Sequence, residues 1–160
     1  MSEINARWCV FLPCSGTQSW AVPQNCLAEV VSVPAAADHP PREIAWRGQT
    51  LPVLDPGCGQ GLAWREPRGG AGLVAVVLGL AGGECSYWGV AVRGAGLGVS
   101  RVDEAEIEEL PEAAVGGALA AFRLRGVVYQ VPDLPALQES LAPRGAGGGD
   151  HPATARVETA

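Results

Sequence analysis

Glycine and proline punctuate this chain so closely that even its longest apolar run, residues 73–80, already contains Gly79. Long helices have no room between such breakers, because glycine costs a helix backbone entropy and proline removes a donor. With 22 Gly and 13 Pro in 160 residues, the fold is predicted to be mainly β, built of short strands joined by turns. Apolar residues make up 48% of the chain. That is enough for one ordinary domain, or for a compact pair of small barrels sharing a core, but not for a third unit.

Trp8-Cys9-Val10-Phe11-Leu12 and Gln18-Ser19-Trp20-Ala21-Val22 flank a Gly-containing turn and read as a hairpin. Residues 25–33 carry Leu27, Val30, Val31 and Val33, a pattern that fits a helical turn, a strand, or one passing into the other. Residues 34–41, rich in Ala and Pro, must be loop. Strand character resumes over residues 44–54, with Gly48 as the turn that reverses the chain. Residues 73–80 form the best candidate for a fully buried strand, and Tyr87-Trp88-Gly89-Val90-Ala91-Val92 is expected to pair with them through a turn at residues 81–84. A further strand is expected at residues 98–102, and another pair around Arg125-Gly126. Asp133 caps a short C-terminal helix that aligns Leu134, Leu137 and Leu141 on one face. Residues 1–7 and 142–160 have too little apolar surface to offset their ordering entropy and are expected to be disordered.

Charge removes several functions. The net charge is −6, and all 11 basic residues are Arg. No basic stripe exists to neutralise phosphates, so nucleic acid is a poor partner. Without lysine there is no phosphate-loop lysine, no Schiff base and no Ser-Lys dyad. No apolar stretch is long enough to cross a membrane, and no signal-peptide pattern opens the chain, so a cytoplasmic protein without membrane insertion is expected. The five cysteines, Cys9, Cys14, Cys26, Cys58 and Cys85, are an odd set without C-x-x-C spacing. That supports neither a disulfide framework nor a zinc site, and reduced thiols are expected.

Four constellations could carry chemistry. The acidic cluster Asp103, Glu104, Glu106, Glu108, Glu109 and Glu112 lacks the glycine turn of a calcium loop and reads as a solvated face. Gly94-x-Gly96-x-Gly98 leads into a strand pattern where a pyrophosphate site needs a helix, and reads as a hairpin loop. A thiol or hydrolytic enzyme would need Cys58 or Cys14 with His39, and nothing around Cys58 resembles the helix N-terminus that activates a thiolate. That leaves Arg47-Gly48. Gly48 permits a tight turn that projects Arg47 from a strand end, where its guanidinium can meet carboxylates with paired hydrogen bonds. The plainer alternative is an internal ion pair of Arg47 with Glu29 or Asp55. Of the five tryptophans, Trp46 is expected at or near the surface because it adjoins Arg47, Trp64 is expected to be partly exposed, and the others belong to the core.

Over about residues 8–141 the chain resembles the CheW-like family of chemosensory adaptors. Trp20-Ala21-Val22-Pro23 is similar to that family's strand ending in proline, and Leu27-Ala28-Glu29-Val30 to the segment that follows. Trp46-Arg47-Gly48-Gln49-Thr50-Leu51-Pro52-Val53-Leu54-Asp55 matches the family signature with Arg, Gly, Pro and Asp in register. Arg93 stands where the family carries Asp, and Pro56 where it carries Leu.

The resemblance implies a single domain over residues 8–141, made of two small SH3-like β-barrels with a shared core and a short C-terminal helix. The first barrel is expected at about 8–62 plus closing elements, and the second at about 73–131. It also implies a non-enzymatic adaptor without cofactor, coupling the cytoplasmic tip of a methyl-accepting chemoreceptor to the regulatory domain of a CheA-type histidine kinase. Its protein-binding residues would be Leu27, Glu29, Arg47 and Gly48, with Trp46 beside them. Two other classes stay open at this stage: a Cys/His-dependent enzyme and a small-ligand-binding β-barrel.

Overall fold

The computed structural model describes residues 7–15, 18–35, 37–58, 63–65, 70–79, 87–93, 97–141 and 154–156. The strands in chain order are β1 (Arg7–Pro13), β2 (Ser19–Pro23), β3 (Leu27–Pro34), β4 (Glu43–Trp46), β5 (Gln49–Leu54), β6 (Ala71–Leu78), β7 (Tyr87–Val92), β8 (Gly98–Val102), β9 (Ile107–Glu109), β10 (Ala118–Leu124), β11 (Val127–Pro132) and β12 (Thr154–Arg156). Helix α1 (Leu134–Leu141) precedes β12. Single 3-10 turns occupy Gln24–Cys26, Glu104–Glu106 and Pro111–Ala113. Residues 25–33 thus begin as a turn and end as a strand.

The strands form two six-stranded sheets, in the orders β8-β1-β2-β11-β10-β9 and β12-β4-β5-β7-β6-β3. The predicted hairpins β1-β2 and β6-β7 are present and antiparallel; the turn expected at residues 81–84 lies outside the described residues. The division at 62 and 73 is not the division of the sheets. β1 and β2 join β8 to β11, whereas β3 to β7 form the other sheet together with β12. The chain crosses from one sheet to the other after β2, again after β7, and a third time between β11 and β12. β7 and β8 lie in different sheets and so do not pair as a hairpin, while Gly94 and Gly96 of the expected hairpin loop lie outside the described residues. Residues 154–156, expected in a disordered terminus, form β12 against β4.

Three clusters of buried side chains explain this arrangement. Val10, Leu12, Trp20 and Val22 of the first sheet meet Ala75, Val77, Trp88, Val90 and Val92 of the second, and Leu134 of α1 closes the cluster. The opposite face of the second sheet buries Val31, Val33, Ile44, Trp46, Leu51, Val53, Trp64, Val74, Val76 and Ala91. Phe11, Ala21, Val102, Phe122 and Leu124 fill the first sheet's other face. β6 and β7 therefore sit between two cores and are apolar on both faces, which is why residues 73–80 lack the alternation of a half-exposed strand. The cap on α1 is present, with the Ala136 amide donating to Asp133 Oδ1 at 3.2 Å.

Two tryptophans away from the β4-β5 turn differ from expectation. Trp64 is buried because Gly72 leaves a slot for the indole: a Cβ built there would lie 2.1 Å from Trp64 Cε2. The indole Nε1 donates to the Leu73 carbonyl at 2.8 Å, which fastens the loop to β6. Trp8, in contrast, is 55% exposed on β1.

Candidate functional site

The turn joining β4 to β5 is two residues long, with Trp46 paired to Gln49. Both turn residues have positive φ, Arg47 at 47° and Gly48 at 76°. That is the conformation whose twist matches a tight hairpin. Glycine adopts it at no steric cost, but arginine carries a Cβ that disfavours it. Arg47 is thus held in a strained backbone by the hairpin on either side, and its side chain projects from the barrel rim, 61% exposed.

Glu29 reaches the same rim from β3. The β3-β6 register shifts between Leu27 and Glu29, so Ala28 is the extra residue of a bulge. The bulge changes which faces the neighbouring side chains take. Leu27 and Val30 pack on the core shared by the two sheets, whereas Val31 and Val33 point into the second barrel. Glu29, two residues before Val31, shares the face that meets Trp46. Leu27 therefore supports the site from the opposite face and does not line it.

Trp46 is 2% exposed, which corrects its placement at the surface. The physical reason is strand alternation: Ile44 and Trp46 are the inward residues of β4, and the chain turns only after them. Its role is to hold the rim. The indole Nε1 donates to Glu29 Oε2 at 2.7 Å, and the ring packs on Tyr87 with centroids 4.9 Å apart. The Arg47 guanidinium carbon lies 4.6 Å from the Trp46 ring centroid, a cation-π contact. Arg47 Nη2 stands 3.8 Å from Glu29 Oε1. That is within ion-pair range but too long for a hydrogen bond, so the donor fork is oriented toward a carboxylate it does not bind. The internal ion pair of Arg47 with Glu29 thus exists in this loose form.

Asp55 takes no part in it. Its carboxylate meets Arg93 through two guanidinium nitrogens, the Nη2 to Oδ2 bond measuring 2.9 Å. Because β5 and β7 run parallel, their C-terminal ends deliver Asp55 and Arg93 to one place. Arg93 is 4% exposed and Asp55 18%. The Arg93 amide also donates to the Pro13 carbonyl at 2.6 Å, joining the end of β7 to the end of β1. Gly57 completes the packing: a Cβ there would lie 2.3 Å from the Cys14 carbonyl oxygen. The arginine at the position where the resembled family has an acid is thus the buried counter-charge of Asp55.

A second Arg-Gly turn, Arg125 at φ 50° and Gly126 at 84°, closes the β10-β11 hairpin. Arg125 bonds Glu106 at 3.1 Å, and Arg123 bonds Glu108 at 2.6 Å from the facing strand. Part of the acidic stretch is therefore a cross-strand ladder with arginine. Nearby, an open groove of about 580 Å³ is lined by Cys9, Val102, Ile107, Leu119, Phe122 and Val131, with Glu104 and Glu109 also on its walls.

The thiols are placed as follows. Cys14 is buried, and that burial pushes its pKa up to about 12, so it is protonated and unreactive at neutral pH. Cys58 and His39 are exposed, and His39 Nδ1 lies 3.3 Å from the Pro40 carbonyl oxygen. Cys9 and Cys26 are half-buried, and Cys85 lies outside the described residues. Among the described residues, no helix is long and apolar enough to cross a membrane.

No protein-family model matches the sequence, and no curated protein matches it. Among solved structures, the chain is similar to the crystal structure of scaffolding protein TtCheW from Thermoanaerobacter tengcongensis. The match has a TM-score of 0.59 at 17% identity and covers 92% of this chain and 99% of that one. The fold is thus that of this scaffolding protein, two SH3-like β-barrels about a shared core, with one short helix among the described residues.

Proposed function

We propose that the chain is a non-enzymatic cytoplasmic adaptor that couples the tip of a chemoreceptor to a CheA-type histidine kinase in a chemosensory pathway. The observation that carries this reading is the rim cluster of Glu29, Trp46 and Arg47 on a scaffold-protein fold. A strained arginine whose fork is stacked, oriented and unsatisfied is suited to carboxylates on another protein. A rigid barrel presents it without the entropic cost of ordering a loop on binding. Leu27 and Gly48 serve the same edge indirectly, one from the shared core and one by permitting the turn. The kinase contact uses a separate end of the molecule, as bridging requires.

The test is Arg47→Asp, assayed by capture of a soluble coiled-coil receptor tip. Binding is expected to fall by about tenfold or more, because reversing a docking charge adds repulsion to the lost contact. Arg125→Asp, in the equivalent turn of the other sheet, should leave capture unchanged. Equal binding by wild type and Arg47→Asp would overturn the assignment.

One observation favours a second reading. The groove on the first sheet has the size of a small-ligand pocket, which falls between about 300 and 1,000 Å³. A small-ligand barrel would show a thermal shift with saturating ligand, and its receptor capture would be indifferent to Arg47.

A further inference from the structure

The hairpin geometry shows which backbone groups of β4 face outward. Trp46 and Gln49 flank the two-residue turn and exchange both backbone hydrogen bonds. Alternation makes Ile44 and Leu51 the next such pair, and it turns the N–H and C=O of Glu43 and Ala45 away from β5. The pattern holds along the ladder. Pro52, which has no N–H, lies opposite Glu43, and the Val53 amide donates to the Arg42 carbonyl at 2.8 Å.

That outward edge is occupied by β12. It runs parallel to β4 in the register Thr154 to Glu43, Ala155 to Ile44 and Arg156 to Ala45. It also lies against β3, so it fills the gap between β3 and β4, the two strands that carry Glu29 and Trp46. Three parallel pairs make a short ladder of the less stable kind. Residues 142–153, which include Gly145, Gly147, Gly148 and Gly149, tether it to α1.

We propose that the outer edge of β4 is a strand-accepting surface whose resident occupant is the chain's own C-terminal segment, residues 154–156. An extended partner segment gains this edge, beside the rim arginine, only when the resident strand lifts away. That last consequence rests on the adaptor reading; the occupancy itself does not, and its test needs no partner.

The test is amide hydrogen exchange, resolved by residue, in the full chain and in a chain ending at Leu141. Loss of the tail is expected to speed exchange at Ala45 about tenfold or more. Ile44 and Trp46, which bond to β5, should change by less than about twofold. A peptide of residues 150–160 added to the shortened chain should slow Ala45 again. The proposal is overturned if Ala45 exchanges alike in both chains or if all three amides accelerate together. It is equally overturned if protection of Ala45 in the full chain rises with protein concentration, because the occupant would then be a second copy.

Discussion

Replacing Asp55 by Asn leaves the shape of the junction intact and removes only its negative charge. The amide keeps an oxygen for the Gly57 N–H, which lies 3.2 Å from Oδ1. The Arg93 guanidinium, 4% exposed, then loses its counter-charge in a site that water scarcely reaches. Breaking a buried pair this way costs about 3–5 kcal/mol when the survivor is fully stranded. Asp55 is 18% exposed and Arg93 has further contacts, so the expected loss is smaller, about 2–4 kcal/mol. For a chain of this size that lowers Tm by about 5–15 °C.

Arg93→Met should cost less, about 1–2 kcal/mol, because the abandoned carboxylate sits nearer to solvent. The double variant carries no buried charge and should recover part of the loss, giving a coupling energy of about 1–3 kcal/mol. Urea denaturation followed by the fluorescence of the buried tryptophans measures all four species. Additive losses, or a loss below about 1 kcal/mol for Asp55→Asn, would show that the pair does not hold the junction.

Four further outcomes are expected. Cys14 has its folded pKa raised to about 12 against about 9 for an ordinary thiol, so the unfolded chain loses its proton first. Its contribution to stability is intact below pH 9 and declines as pH rises toward 12, a decline that Cys14→Ala abolishes in alkaline denaturation. In the native protein at pH 8, iodoacetamide should label exposed Cys58 well before Cys14, as read by mass spectrometry. Gly72→Ala forces a methyl into the Trp64 ring and should cost about 1–3 kcal/mol, with red-shifted tryptophan emission. Arg47→Asn relaxes the left-handed turn position and should raise stability by about 0.5–1 kcal/mol while reducing receptor capture, a trade visible in paired melting and binding assays.

What the sequence made legible was local. The hairpin β1-β2, the strands around the Arg47-Gly48 turn, and the Asp133 cap each depend on a few neighbouring residues whose turn chemistry or periodicity is explicit. The sheet partition was not, because it rests on the parallel contacts of β2 with β11 and of β5 with β7. No short pattern announces such pairings. Trp46 and Trp64 were misplaced for a related reason. A charged neighbour suggested exposure for one and a polar loop for the other, while alternation and the missing side chain of Gly72 decided both.

The resemblance implied Glu29, Arg47 and Gly48 as binding residues, and the structure brings Glu29 and Arg47 together at one rim as the loose ion pair that was one of the two readings of the sequence. The bulge at Ala28, which separates Leu27 from Glu29, leaves no trace in a run of small and apolar residues. The partnership of Arg93 with Asp55 spans 38 positions. Its one available signal was an arginine standing where the resembled family has an acid.

An adaptor of the kind proposed above must touch two other proteins at once. The direct measurement is co-sedimentation of the kinase regulatory domain with an immobilised receptor tip, with and without this chain. The chain is expected to carry the kinase domain onto the receptor, and Arg47→Asp to abolish this transfer while still binding the kinase domain in solution. Transfer that is absent with the wild-type chain, or undiminished in the variant, would contradict the adaptor reading.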